Sequence, residues 1–207
     1  MSDAELDRLA AWTQATRRSQ YIAGRWQARA LLRSWCGTDA SRWTLTALTD
    51  GPPRLVGPEG ATGLFCSLSH SADWLACAMG DVPVGIDVEA TAVRDRNWLA
   101  MAQAVCSTRE WRTFQALHEA NRAAAFLAMW TLKESWLKRL GEPMTPGRMA
   151  RLDTRQAPSD AGDAWLWQSA ALSLALCAPG ARITLAGDAW PAASRWRIVE
   201  VDAAAAS

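Results

Sequence analysis

Tyrosine and phenylalanine are nearly missing from this chain: one Tyr and three Phe stand among 207 residues, against thirteen Trp. Large aromatic surface has to come from Trp, and most of these rings are expected in the core or at helix contacts. Histidine is also scarce, with two residues, and the five cysteines (Cys36, Cys66, Cys77, Cys106 and Cys177) contain no C-x-x-C pair. That combination excludes a zinc-ligand array and a disulfide framework. It leaves the cysteines as small core residues, suited to a reducing cytoplasm. Neither sign of charge dominates, with 22 Lys and Arg against 21 Asp and Glu. The balance gives no ground for expecting nucleic acid or a membrane surface as partner. No apolar run approaches the ~20 residues of a membrane span, and the acidic start Met1-Ser2-Asp3-Ala4-Glu5 has no apolar leader.

What is present is enough apolar residue, 50%, to build a full core in one large or two small domains. Residues 4 to 36 read as helical: Pro is absent, Ile22, Trp26 and Ala30 recur at helical spacing, and Gly37 is a stop. Residues 43–48 read as a short strand, Asp50-Gly51-Pro52-Pro53 as a turn, and 54–56 as extended. A hairpin follows, with one strand from Leu64 to Leu68 ending in Ser69-His70-Ser71 and a second from Trp74 to Met79. Helix is expected over 93–141. Ser107-Thr108-Arg109-Glu110 forms a capping box there, and a long helix from about 118 to 140 stops at Gly141. Its core stripe is Met129, Leu132, Trp136 and Leu140. Lys133 falls within the stripe, so its stem should pack while its ammonium finds a carboxylate or the surface. Residues 148–154, 164–169, 171–178 and 195–201 read as strands, and 203–207 as a frayed tail. Two α+β units of similar size emerge, 1–82 and 83–207.

Two acidic pieces look made to share one divalent cation. In Gly85-Ile86-Asp87-Val88-Glu89, read as a strand, Ile86 and Val88 go to one face, and Asp87 and Glu89 to the other, roughly 6–7 Å apart. In Trp130-Thr131-Leu132-Lys133-Glu134-Ser135-Trp136-Leu137-Lys138, read as helix, Glu134 and Lys138 are four apart and so surface neighbours. Three carboxylates and a lysine on rigid elements make a hard-cation site with a base or phosphate clamp beside it.

Ser67-Leu68-Ser69-His70-Ser71, Gly85-Ile86-Asp87-Val88-Glu89 and Trp130-x-x-Lys133-Glu134-x-x-x-Lys138 together resemble the signature of the 4′-phosphopantetheinyl transferases. Each motif is common alone, and the order and spacing of the three are specific. Length and spacing are similar to the longer, pseudo-dimeric Sfp-like branch, over residues 17–141. The resemblance implies an α+β fold of two similar subdomains in pseudo-twofold arrangement. It also implies a reaction: the 4′-phosphopantetheine arm of coenzyme A moves to a serine of an acyl or peptidyl carrier protein, releasing adenosine 3′,5′-bisphosphate. Magnesium would be held by Asp87, Glu89 and Glu134. Glu89 and Glu134 are each open to the role of ligand or base, and the family favours Glu134 as base. Lys138 would clamp the attacked phosphate.

The resemblance further places His70, with Ser69 alongside, on a phosphate of coenzyme A. The basic stretch Arg17, Arg18, Arg25, Arg29 and Arg33 would supply a clamp for the 3′-phosphate, with Arg18, Arg25 and Arg29 near one face. One departure stands out. Where relatives often carry Gly-Lys-Pro, this chain has Gly51-Pro52-Pro53-Arg54, so Arg54 is the candidate to replace the missing cation. The expectation is a monomeric cytoplasmic enzyme. Two rival classes are a non-catalytic binding module for coenzyme A or a carrier protein, and another magnesium-dependent phosphotransfer enzyme. The second lacks the G-x-x-x-x-G-K-[ST] loop it would need.

Overall fold

A computed structural model describes residues 1–46, 54–58, 63–91, 96–186 and 191–201. The chain opens with helix α1 (Asp3–Ala10), whose N-terminus is closed by a capping box between Ser2 and Glu5. Helix α2 (Ala15–Cys36) follows and ends at Gly37, whose φ of 61° suits a residue without a Cβ. The single helix expected over residues 4 to 36 is therefore two. The break lets the chain double back. In a continuous helix Glu5 and Arg29 would be roughly 36 Å apart, whereas here Arg29 Nη2 lies 2.7 Å from Glu5 Oε2.

A short 3₁₀ segment (Gly37–Arg42) leads to a small antiparallel pair, β1 (Thr44–Leu45) and β2 (Leu55–Val56). The expected turn at residues 50–53 and the far end of the 43–48 strand lie outside the described residues. Strands β3 (Phe65–Ser71) and β4 (Trp74–Gly80) form the expected hairpin, with β3 continuing through Ser69, His70 and Ser71. Helix α2 packs on this hairpin, and its Ala28 and Leu32 cluster with Cys66 of β3, Leu45 of β1 and Leu55 of β2.

The second half is built on a five-stranded antiparallel sheet of order β5-β8-β7-β9-β6. The strands are β5 (Gly85–Ala90), β6 (Leu152–Ala157), β7 (Ala164–Gln168), β8 (Leu172–Cys177) and β9 (Ser194–Glu200). Helices α3 (Trp98–Val105), α4 (Thr108–Gln115) and α5 (Glu119–Leu140) connect β5 to β6, with a short α6 (Pro146–Ala150) after them. Residues 148–154, expected as strand, thus divide into the end of α6 and the start of β6. Pro146 at the first helical turn and the Thr145 cap, which accepts from the Arg148 N–H, favour the helix. Helix α5 stops as expected at Gly141 in the left-handed region. Glu142 N–H then bonds the Leu137 carbonyl, and Gly141 N–H the Lys138 carbonyl.

Helix α5 lies across one face of the sheet. Phe126, Leu127, Met129, Leu132 and Leu137 pack there on Leu152, Leu166, Ala175 and Ile198. Trp98, Phe114, Phe126 and Trp130 form a run of ring contacts beside them. Leu140, expected in the core stripe, is exposed instead, in the last turn next to the Gly141 cap. Ile86 and Val88 point to the opposite face, against Val84, Trp167, Leu174 and Leu176. Of the described tryptophans, Trp167 is buried and most others are half-buried, whereas Trp26, Trp35 and Trp74 are exposed. The described chain is α+β throughout, and none of its helices is long and apolar enough to cross a membrane.

Candidate active site

Strand β5 is the end strand of its sheet and antiparallel alternation sets its faces. With Ile86 and Val88 on one side, Asp87 and Glu89 go to the side covered by α5. The expected alternation holds, but the acidic face is no solvated surface: Asp87 is only 1% exposed. Gly85 lets α5 come this close. A Cβ there would stand 1.9 Å from the Ser135 carbonyl oxygen.

One turn apart on α5, Glu134 and Lys138 hang over β5. The Lys138 ammonium sits 2.5 Å from Asp87 Oδ1, 3.0 Å from Ser69 Oγ and 3.5 Å from Glu134 Oε2. Ser69 also donates to Asp87 Oδ1 at 2.7 Å. Beside this group Ser71 donates to Glu89 Oε2, again at 2.7 Å. Burial first, and then the Asp87 charge, push the Glu134 carboxyl up to about 8 against the pull of Lys138. Burial also raises Glu89, with the Asp87 charge adding to it and Ser71 opposing.

The local charge is unbalanced. Three carboxyl groups gather at the Lys138 ammonium, with Arg96 acting on Glu89 as the other cation, and among the described residues Asp87 Oδ2 is buried with no hydrogen-bond partner. An orphaned carboxylate oxygen inside an electronegative pocket is what a small hard cation needs, so the residues fit one. They do not form a complete cage. Among the described residues no set of three or more His, Cys, Asp or Glu side chains could hold a metal ion. Magnesium suits the arrangement seen, because it commonly uses one or two carboxylates and takes its remaining oxygens from substrate phosphates and water.

The other expected ligands are placed differently. His70 is exposed and, by alternation, lies on the face of β3 shared by Cys66 and Leu68, away from the carboxylates. Ser69, expected beside it on a phosphate, turns the other way. Its hydroxyl donates to Asp87 and accepts from Val88 N–H at 3.2 Å and from Lys138. One donor and two lone pairs are then all used. Arg54 is exposed, and its backbone N–H bonds the Thr46 hydroxyl.

The N-terminal arginines do not present the expected open basic face. Arg18 donates to the carbonyls of Leu9 and Trp12, at 2.7 and 3.3 Å. Arg25 is buried, donates to the Thr46 carbonyl at 2.8 Å and lies over the Tyr21 ring. Arg29 pairs with Glu5. The missed partner is Glu5, which is fully buried and gathers Arg25 and Arg29 onto α1. A lone glutamate in an acidic first turn carries no signal for that role. Lys133 went as expected: its ammonium is wholly buried and 2.6 Å from Glu110 Oε2, with the carbonyls of Val105 and Met149 at 2.7 and 2.9 Å.

Residues 83–168 match the family model described as the 4′-phosphopantetheinyl transferase superfamily. Over 135 residues the chain is 35% identical to the 4′-phosphopantetheinyl transferase AcpT of Salmonella typhi, covering 62% of each chain. It is 27% identical over 169 residues to the 4′-phosphopantetheinyl transferase HetI of Nostoc sp., covering 76% of this chain and 70% of that one. Over 78 residues it is 32% identical to the 4′-phosphopantetheinyl transferase gsp of Aneurinibacillus migulanus, covering 38% and 32%. The chain thus spans less than two thirds of the length of AcpT and of gsp. The segment matched by the family model contains Asp87, Glu89, Glu134 and Lys138, and excludes His70 and the arginines of α2.

Proposed function

We propose, from the match of residues 83–168 to the 4′-phosphopantetheinyl transferase superfamily and the likeness to AcpT and HetI, that this chain is such a transferase and moves the 4′-phosphopantetheine arm of coenzyme A to a serine of an acyl or peptidyl carrier protein. The observation that carries this reading is the group of buried Asp87 and half-buried Glu134 and Lys138, brought together by β5 and α5.

In the proposed reaction the carrier serine oxygen attacks the phosphorus that bears pantetheine. A new P–O bond forms, the pyrophosphate P–O bond breaks, and adenosine 3′,5′-bisphosphate leaves with the electron pair. Glu134 accepts the serine proton. A carboxyl poised near 8 by burial and by Asp87 is matched to proton transfer close to neutral pH. Lys138 places a positive charge on the phosphate under attack, in a pocket where burial strengthens it. Asp87 and Glu89 would hold magnesium together with substrate oxygens, with Glu134 beside the ion as the base. When bound, that ion offsets charge developing on the phosphates.

His70 is the proposed contact for a phosphate of coenzyme A on the far face of β3, and the exposed Arg54 is proposed to supply the cation missing at Pro52. The same reading makes the protein a monomeric cytoplasmic enzyme of the Sfp-like branch. Its two subdomains, 1–82 and 83–207, would be related by a pseudo-twofold axis. In support, each carries a 22-residue helix, α2 or α5, laid on antiparallel strands. The test is carrier-dependent release of adenosine 3′,5′-bisphosphate from coenzyme A in the presence of magnesium. Release without a carrier would point to hydrolysis, and no release with any apo carrier would refute the assignment.

A further inference from the structure

Among the described residues only β8 pairs with strand β5 in the sheet, which leaves its other edge without a ladder partner. Its outward N–H groups are those of Ile86, Val88 and Ala90. Each is met by a serine hydroxyl of β3 rather than by a backbone carbonyl: Ser67 at 3.0 Å, Ser69 at 3.2 Å and Ser71 at 3.1 Å. Every serine meets the N–H 19 positions further along the chain, so β3 and β5 run side by side in the same direction. Side chains at i, i+2 and i+4 of one strand have the same repeat as the N–H groups along one edge of another. Alternating serines can therefore stand in for a missing ladder and leave no buried amide unsatisfied.

The same hydroxyls do a second thing. Ser69 donates to Asp87 and Ser71 donates to Glu89, each to the residue 18 positions on. Ser67 has Gly85 at the corresponding place, which offers no side chain. At Ser69 and Ser71 a single oxygen therefore holds a carboxylate and the following backbone N–H, which fixes the carboxylate relative to its own strand. We infer that Ser69 and Ser71 are positioning residues for Asp87 and Glu89, and that Ser69 is not a ligand of coenzyme A. This rests on the transferase reading above. It extends that reading by giving the hairpin of the first half a role in orienting cation ligands of the second half. Residues that orient metal ligands in this way typically alter metal affinity or activity about 10- to 100-fold when removed.

The test uses Ser71, which is half-buried, in two variants of nearly equal shape. Ser71→Thr keeps the hydroxyl and Ser71→Val removes it. Ser71→Ala repeats the comparison without added bulk should valine not be accommodated. Manganese binding is measured by electron paramagnetic resonance on the full-length protein with coenzyme A present. Coenzyme A affinity is measured separately by calorimetry in metal-free buffer. Ser71→Val and Ser71→Ala should weaken manganese about 10-fold or more, with coenzyme A affinity unchanged, while Ser71→Thr keeps most of the wild-type affinity because its hydroxyl is retained. A further arm is Ser69→Ala, which should keep metal-free coenzyme A affinity.

Wild-type manganese affinity in Ser71→Val and Ser71→Ala would overturn the inference and leave the transferase reading standing. Equal losses in Ser71→Thr and Ser71→Val would overturn it as well, because the hydroxyl would not be what matters. Lost coenzyme A affinity in Ser69→Ala would return that residue to the ligand set. If the wild type bound no manganese and transferred nothing, both the reading and the inference would fall.

Discussion

A methyl group on Gly85 would stand 1.9 Å from the Ser135 carbonyl oxygen and 2.5 Å from the Arg139 amide nitrogen. Both neighbours are backbone of α5, so no side-chain rotation relieves the clash. The glycine is what allows the carboxylates of β5 to lie under Glu134 and Lys138. Gly85→Ala is expected to push the helix away, costing about 1–3 kcal/mol or more and lowering transfer at the same time. Urea unfolding and turnover measured on one preparation check this. A variant as stable and as active as the wild type would show that the close approach is not needed.

Glu134→Gln keeps the shape of the side chain and loses its charge and its proton affinity. Single-turnover transfer should fall about 10²–10⁴-fold, with little change in coenzyme A affinity. Calorimetry combined with rapid quench separates the two effects. Weak binding with an undiminished chemical rate would reassign Glu134 from proton acceptor to binding residue.

Lys133 and Glu110 form a buried pair whose two members are supported unequally. Burial lowers the affinity of Lys133 for its proton and Glu110 opposes this. Glu110 also receives the N–H of Ser107 and both the N–H and hydroxyl of Thr154. The ammonium without Glu110 would keep only two carbonyls. Glu110→Gln should therefore destabilise by about 3–5 kcal/mol, and Lys133→Met by less. The double variant should recover part of the loss seen in Glu110→Gln. Denaturant melts of all three decide it, and strict additivity would contradict the pairing.

Glu5 supplies a pH dependence of stability. Burial alone would raise its carboxyl, but the hydrogen bond from Arg29, that from Ser2 N–H and the charges of Arg29 and Arg25 outweigh it and hold it below 4.5. A carboxyl lowered in the folded state contributes stability that is present above its unfolded value and is lost as pH falls through the folded one. Glu5→Gln retains a cap acceptor for Ser2 and removes the charge. Its melting temperature should lie below wild type at pH 7, and the gap should close progressively below pH 4.5. A gap independent of pH would mean that the arginines do not read this charge.

The elements were largely legible in the sequence because they rest on local signals. The capping box at Ser107, the stop at Gly141 and the β5 alternation each act within a few residues. Glu134 and Lys138 were readable as a pair for the same reason. What escaped depends on contacts distant in sequence. Nothing in Asp3-Ala4-Glu5 announces two arginines some twenty residues on, and those arginines looked like an open clamp until Glu5 and the backbone carbonyls were seen to hold them. Ser67, Ser69 and Ser71 all stand in the motif Ser67-Leu68-Ser69-His70-Ser71, but the sequence suggests a role only for Ser69, beside His70. The alternation of three serines beside an acidic strand was the available signal. It becomes meaningful only once β3 is known to run along the edge of β5 opposite β8.

The most direct measurement is the intact mass of an apo carrier protein after incubation with coenzyme A, magnesium and either the wild-type chain or Asp87→Asn. Asp87 is the residue on which Ser69, Lys138 and the proposed cation converge, and among the described residues its Oδ2 has no hydrogen-bond partner. The account predicts a gain of one phosphopantetheine arm on the carrier's serine with the wild type and none with a folded Asp87→Asn variant at any magnesium concentration. An unmodified carrier with the wild type, or full modification by Asp87→Asn, would contradict it.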